Sequence, residues 1–247
     1  MIGGAISYIL DGANWSGSDG MTIQLGQQLL LTVTAMAIAM AFALPIALVL
    51  GHYGRGGVLA INISNVGRAV PTFAVLILLS VGPLGTAVLG PYGRAGLATL
   101  VALTLFALPP IITNSYVAVR EVPEDVKQAA DGMGMTGAQK FFRVELPLAL
   151  PLIISGVRLA LVQVWATATI AALVAGPGLG RVITDGFFRT NYGKGIAGAI
   201  VVGLVALVLE LFAASVQRLV APSRNGSSPN PDSALSAATS TVATDTG

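Results

Sequence analysis

The chain has 247 residues, of which 54% are hydrophobic and only 10% charged, and its formal net charge is +2. A soluble domain carries about a quarter charged residues, so this is the composition of an integral membrane protein. With no cysteine, a disulfide framework and a thiolate zinc or redox centre are excluded, and the scattered basic residues form no patch for nucleic acid.

Residues 1–24 hold Asp11 and Asp19 but no Lys or Arg, and the short apolar start ends at Asp11 without a convincing cleavage site. They are expected to form an external N-terminal segment. Five apolar runs come next, each near the roughly 20 residues that cross a hydrocarbon core. They are 25–50, 69–89 with Pro71, Gly82 and Pro83 inside it, 97–119 with Pro109 and Pro110, 148–174, and 196–220. The expected fold is therefore all-α, with about five transmembrane helices in a domain over 25–220. Prolines and glycines within spans are tolerated where neighbouring helices or water satisfy the freed backbone groups, so they read either as bends beside a cavity or as ordinary kinks.

Residues 121–147 form a polar island between two of these runs, and 123–147 alone carry seven of the chain's 24 Lys, Arg, Asp and Glu residues. Pro123 followed by Glu124 and Asp125 suits a helix start, since proline has no N–H to leave unpaired and the acids face the positive end of the dipole. Val126, Ala129, Ala130 and Met133 recur at helical spacing as one apolar stripe. Gly134 is free to take the left-handed conformation that stops the helix. Thr136 followed three residues later by Gln139 is a capping box opening a second short helix with Phe141, Phe142 and Val144, and Pro147 marks entry to the next span. Two short helices meeting at a glycine beside a membrane are expected to be held by a partner.

Placing that island in the cytoplasm puts eight of the 13 Lys and Arg residues inside and four outside, with Arg158 within a span. By the positive-inside rule the topology is N-out and C-in. Residues 175–195 then lie outside; they start glycine-rich, carry Val182, Ile183, Phe187 and Phe188, and are expected as a re-entrant or interfacial segment. Residues 221–247 are rich in Ser, Thr, Ala, Pro and Asn and are expected to be a disordered cytoplasmic tail.

Gly132, Gly134 and Gly137 match G-x-G-x-x-G, but neither a strand nor a βαβ unit surrounds them, so the match is accidental. The chain also lacks G-x-x-x-x-G-K-[ST], and any ATP its work needs is bound by another chain. His52 is the lone histidine, has no companion ligand for a metal site, and is expected at the surface. Arg158 lies eleven residues past Pro147 and Glu210 ten before Val220, which at ~1.5 Å per residue gives them one depth. They are expected to pair, within the subunit or across a dimer, as a packing contact rather than a substrate or proton site. Trp165 stands beside small residues from Ala166 to Ala172 and reads as packing ahead of pathway lining. Asn114 and Pro71 are the other candidates for the pathway.

The island also carries a family pattern. Gln128-Ala129-Ala130, Gly134 and Val144-Glu145-Leu146-Pro147 fall in the register of the EAA loop of ABC importer permeases, E-A-A, three residues, G, nine residues, I-x-L-P. Gln stands where Glu is usual and Val where Ile is usual. The runs QAADGMGMT, VELPLALPLIISGVRLALV, GRAVPTFAVLILL and LPPIITNSYVAVREVPEDV resemble the osmoprotectant branch, whose members import glycine betaine, choline, carnitine or proline betaine. The resemblance covers roughly residues 25–220. It implies a MetI-like permease half in a bacterial inner or plasma membrane, a second permease subunit that is the same chain or a paralogue, and an extracytoplasmic substrate-binding protein. It further implies cytoplasmic ATPase subunits that hold ATP and Mg, so that this chain is not an enzyme and binds no cofactor itself. The loop, from Val126 through Phe141, Phe142, Leu146 and Pro147, would be the coupling element. Import of another small polar solute such as an amino acid, or a secondary transporter or channel, are the alternatives.

Overall fold

A computed structural model describes residues 2–57, 62, 67, 69–88, 90–93 and 95–220; the expected tail at 221–247 lies outside the described residues. The helices whose bounds lie within the described residues are, in chain order, α1 (Ile2–Leu10), α2 (Met21–Tyr53), α3 (Thr72–Val81), α4 (Pro83–Thr86), α5 (Gly96–Arg120), α6 (Glu124–Gly132), α7 (Gly137–Lys140), a π turn (Phe141–Glu145), α8 (Leu146–Ala171), α9 (Gly180–Phe188) and α10 (Tyr192–Val220). There is no strand among the described residues.

Among the described residues, four helical stretches are long and apolar enough to cross a membrane: Met21–Tyr53, Gly96–Arg120, Gly137–Val174 and Tyr192–Val220. The run expected over 69–89 is occupied instead by a shorter apolar helix, α3, of ten residues. That length rises about 15 Å, half the hydrocarbon thickness. The cause is local. Gly82 is extended at φ −76° and ψ −174°, and Pro83 then opens α4, where its missing N–H costs nothing.

The core is set by a ridge on α2. Leu31, Ala35, Ala39, Ala43, Ala47 and Gly51 recur every fourth residue, and all are buried. Without a hydrophobic drive between helices in lipid, small side chains at such spacing allow the close backbone approach that van der Waals packing needs. The approach is close here, since a Cβ on Gly51 would stand 2.9 Å from that of Val119 on α5. Most of the ridge joins Leu103, Ala107 and Ile111 of α5 and Ala160, Val164 and Ala168 of α8 in one cluster. Pro45, Pro109, Pro110 and Pro151 all lie inside helices that continue past them.

The bundle has two ends. At one, the last turns of α2, α5 and α10 surround the polar segment: Gly54 sits against the Arg120 guanidinium, and Gln217 of α10 shares a groove with Glu121, Val122 and Val126. At the other, α1 lies against the start of α10 through Gly4 and Gly193. There α9 folds back on α10 so tightly that a Cβ on Gly186 would stand 2.3 Å from the nitrogen of Gly195. The 175–195 segment thus holds a nine-residue helix packed on its neighbour.

Candidate coupling surface and polar contacts of the spans

The polar segment folds as its local chemistry dictates. Pro123 is extended ahead of α6, and Glu124 and Asp125 occupy the first turn. Gly134 sits at φ +75°, and the end of α6 closes through Gly134 N donating to Asp131 O at 2.9 Å and Met135 N to Ala130 O at 3.2 Å. The capping box is complete: Gln139 N donates to Thr136 Oγ1 at 3.3 Å and Thr136 N to Gln139 Oε1 at 2.9 Å. Lys140 Nζ bonds both oxygens of Asp131, at 2.8 and 2.9 Å, tying α7 to the end of α6. That hydrogen bond holds the Lys140 ammonium above the ordinary lysine value.

The apolar stripe of α6 divides. Ala130 is buried, whereas Val126, Ala129 and Met133 are exposed on the adjoining face. Met133 is 69% exposed and Phe142, beyond the joint, 65%. Phe141 is half-buried and meets Phe142 edge-on at 4.9 Å. Leu146 packs with Val119, Val122 and Ile153, while Pro147 is exposed. Gln128 is exposed, in the same helix as the exposed Glu124 and Asp125. The outcome is a pair of short helices anchored on one side and presenting large apolar side chains, framed by charge, on the other. Such a face gains apolar burial when a groove covers it.

His52 departs from expectation. It is not a free surface residue: its Nδ1 donates to Glu145 Oε2 at 2.6 Å, and its ring meets Phe141 at 5.3 Å and Tyr53 at 5.1 Å. Glu145 is 2% exposed. Nothing near His52 in sequence signals this contact, because the two residues are 93 positions apart.

Arg158 and Glu210 meet within one subunit, as their common depth suggests. Arg158 Nε donates to Glu210 Oε1 at 2.7 Å, Nη2 converges on the same oxygen, and Nη1 donates to Gln217 Oε1 at 3.0 Å. The pair lines a recess of about 320 Å³ with Asn114, Ser155, Leu159 and Val162. Ser155 also borders the groove of about 640 Å³ that runs under α6. Asn114 donates through Nδ2 to Pro110 O at 2.7 Å, and Pro71 is exposed ahead of α3. Trp165, a candidate pathway ring, is 2% exposed, packs with Met21, Leu179, Val182 and Val201, and donates its Nε1–H to Val202 O at 3.1 Å. Its geometry is that of packing, because the ring has no free face.

Gln28 is a buried polar side chain that no motif marks out. Fully buried on α2, it donates through Nε2 to Thr169 Oγ1 at 2.9 Å and to Trp165 O at 3.4 Å, and accepts the Leu179 N–H at 2.9 Å through Oε1. It fastens α2 and α8 to the entry of α9. A polar residue inside an apolar run is the one signal the sequence offers for it. Among the described residues no group of three His, Cys, Asp or Glu could hold a metal. Gly132, Gly134 and Gly137 belong to α6, its stop and α7, with no strand beside them among the described residues.

Residues 39–226 match the family described as binding-protein-dependent transport system inner membrane component. The osmoprotectant import permease protein OsmY of Salmonella typhimurium is 33% identical, covering 81% of this chain and 82% of its own. The carnitine transport permease OpuCB of Listeria monocytogenes is 30% identical over 82% and 88%, and the glycine betaine/carnitine/choline permease OpuCB of Bacillus subtilis 28% over 80% and 87%. Among solved structures, a chain of the inward-facing MetNI methionine ABC transporter aligns with TM-score 0.70 at 21% identity, covering 84% of this chain and all of that one. A chain of an amino acid ABC transporter aligns at 0.60 and 18%, covering 79% and 90%. These two bear on the fold.

Proposed function

The chain belongs to the family of binding-protein-dependent transport system inner membrane components, and we propose that it is the permease half of an importer for osmoprotectant quaternary amines. It is a multi-pass inner-membrane subunit, and hydrolysis of ATP belongs to a separate ATPase. The observation that carries the coupling part of the reading is the 121–147 segment: locally rigid by its own caps, anchored through Ala130 and Leu146, and outwardly apolar at Val126, Met133 and Phe142. This face docks in a cleft of the ATPase, which holds ATP and Mg. Gln128 supplies an exposed amide where the family pattern has a carboxylate, so it offers the ATPase hydrogen bonds without charge.

The segment lies on the cytoplasmic side, the N-terminus outside, and a binding protein delivers solute to the end bearing α1 and α9. A second permease half, the same chain or a paralogue, completes the pathway. Closure of the ATPase pair on ATP displaces the docked segment, which continues directly into α5 on one side and α8 on the other. The spans thereby switch access, with nucleotide binding supplying the differential free energy between the two states. The solute class rests on what the relatives carry, glycine betaine, carnitine and choline among them.

The test is uptake by proteoliposomes holding the permease, its ATPase and its binding protein. ATP-dependent accumulation of a quaternary amine, with methionine and histidine excluded, is the expected result. Accumulation of an amino acid in its place would overturn the solute class, and uptake without ATP would overturn the importer reading itself.

A further inference from the structure

We propose that the His52–Glu145 contact is a positioning latch that makes the inner end of α2 move with the coupling segment; this rests on the coupling reading above. The segment is covalently continuous with α5 and, through the π turn, with α8, but α2 reaches it only through side chains. Apolar contacts of Leu44 and Leu48 with the cluster around Val119 and Val122 hold α2 sideways. Apolar contact is non-directional, so it sets the spacing of α2 from its neighbours without tying a given atom of α2 to the segment. The pair adds direction. His52 sits one residue from the end of α2, and Glu145 is the last residue of the π turn, where the loop becomes α8.

The geometry is enclosed. The Glu145 carboxylate is buried and takes the His52 Nδ1–H at 2.6 Å, Phe141 and Tyr53 flank the imidazole edge-on, and Nε2 lies 3.8 Å from where a Cβ on Gly137 would stand. A buried carboxylate that loses its donor is left with its full desolvation cost, so the pair resists separation as the loop is displaced. None of these atoms belongs to the exposed face of Met133 and Phe142. The latch therefore acts on transmission within the permease, and not on ATPase docking.

The experiment uses the complete transporter in proteoliposomes and reads solute imported per ATP hydrolysed, with ATPase copurification measured alongside. For His52→Ala and Glu145→Ala the ratio is expected to fall about fivefold or more while copurification is retained, and the double variant is expected to be no worse than either single one. His52→Asn, which keeps an N–H donor near the Nδ1 position, should restore most of the ratio. Because the chain has no native cysteine, His52→Cys with Glu145→Cys can be joined by a short bifunctional thiol reagent. Joining should restore the ratio lost in the unjoined variant, since a covalent tie replaces the latch. A ratio unchanged in His52→Ala, or transport halted by the tie, would overturn the proposal. If instead Met133→Glu leaves both copurification and ATP-driven uptake intact, the underlying coupling reading fails, whatever the latch variants do.

Discussion

The two ends of the bundle handle their polar and apolar groups in opposite ways. At the end bearing α1 and α9, the outer one in the proposed orientation, Gln28 satisfies both faces of its amide inside the protein, Trp165 has its N–H on a carbonyl, and α9 lies within backbone contact of α10. That end is closed on itself. At the opposite end, the inner one in that orientation, the 121–147 segment fixes its backbone with local caps and then leaves Met133 and Phe142 more than half exposed. Its internal contacts are complete and its apolar face is not. Substitutions should therefore act differently at the two ends: the outer end should lose folding free energy, the inner end should lose a partner.

The largest effect is expected at the contact between the ends. Arg158→Leu leaves Glu210 without its cation inside a span and should lower the unfolding temperature in detergent, with Arg158→Leu/Glu210→Leu recovering most of the loss. Recovery distinguishes a packing contact from a site whose charges are needed, because the double variant would then transport as well as fold. Gln28→Leu should cost about 2 kcal/mol, since it strands the Leu179 N–H, while ATPase copurification persists. Equal stability of that variant and the parent would undo the contrast at the outer end.

Gly134→Val places a β-branched residue at φ +75° with nothing near its Cβ, so backbone strain of about 1–2 kcal/mol is expected rather than a clash. The thermal loss should be small and the loss of ATP-driven uptake large. Smallest is Lys140→Gln, under about 1 kcal/mol. Lys140 is raised in the folded protein by its bond to Asp131, so its contribution is fully present below lysine's ordinary value of about 10.4 and is lost only as pH climbs through the folded value. Stability of the parent relative to this variant should therefore be flat across neutral pH and converge only in strong alkali.

Features set by near neighbours, or by rise along a helix, are legible in the residues. The stop at Gly134 and the Thr136–Gln139 box each involve neighbours five or fewer positions apart, and both stand as expected. The Arg158–Glu210 pair spans 52 positions but needs only depth along two helices. His52–Glu145 depends on the lateral arrangement of α2 against the loop, which no spacing encodes, and so the sequence alone puts a latched histidine at the surface. Gln28 is hidden for the same reason, although its polarity within an apolar run is visible. The four-residue ridge from Leu31 to Gly51 is also legible and marks the face of α2 that packs. The short α3 shows how a Gly-Pro step overrides hydrophobic length.

That an ATPase completes the inner face can be put to the proof with Met133→Glu and Phe142→Glu in one permease. Both side chains are largely exposed, so the unfolding temperature in detergent should match that of the parent. Copurification of the ATPase and ATP-driven uptake should both be lost. Retention of the ATPase and of uptake in a folded double variant would contradict the claim.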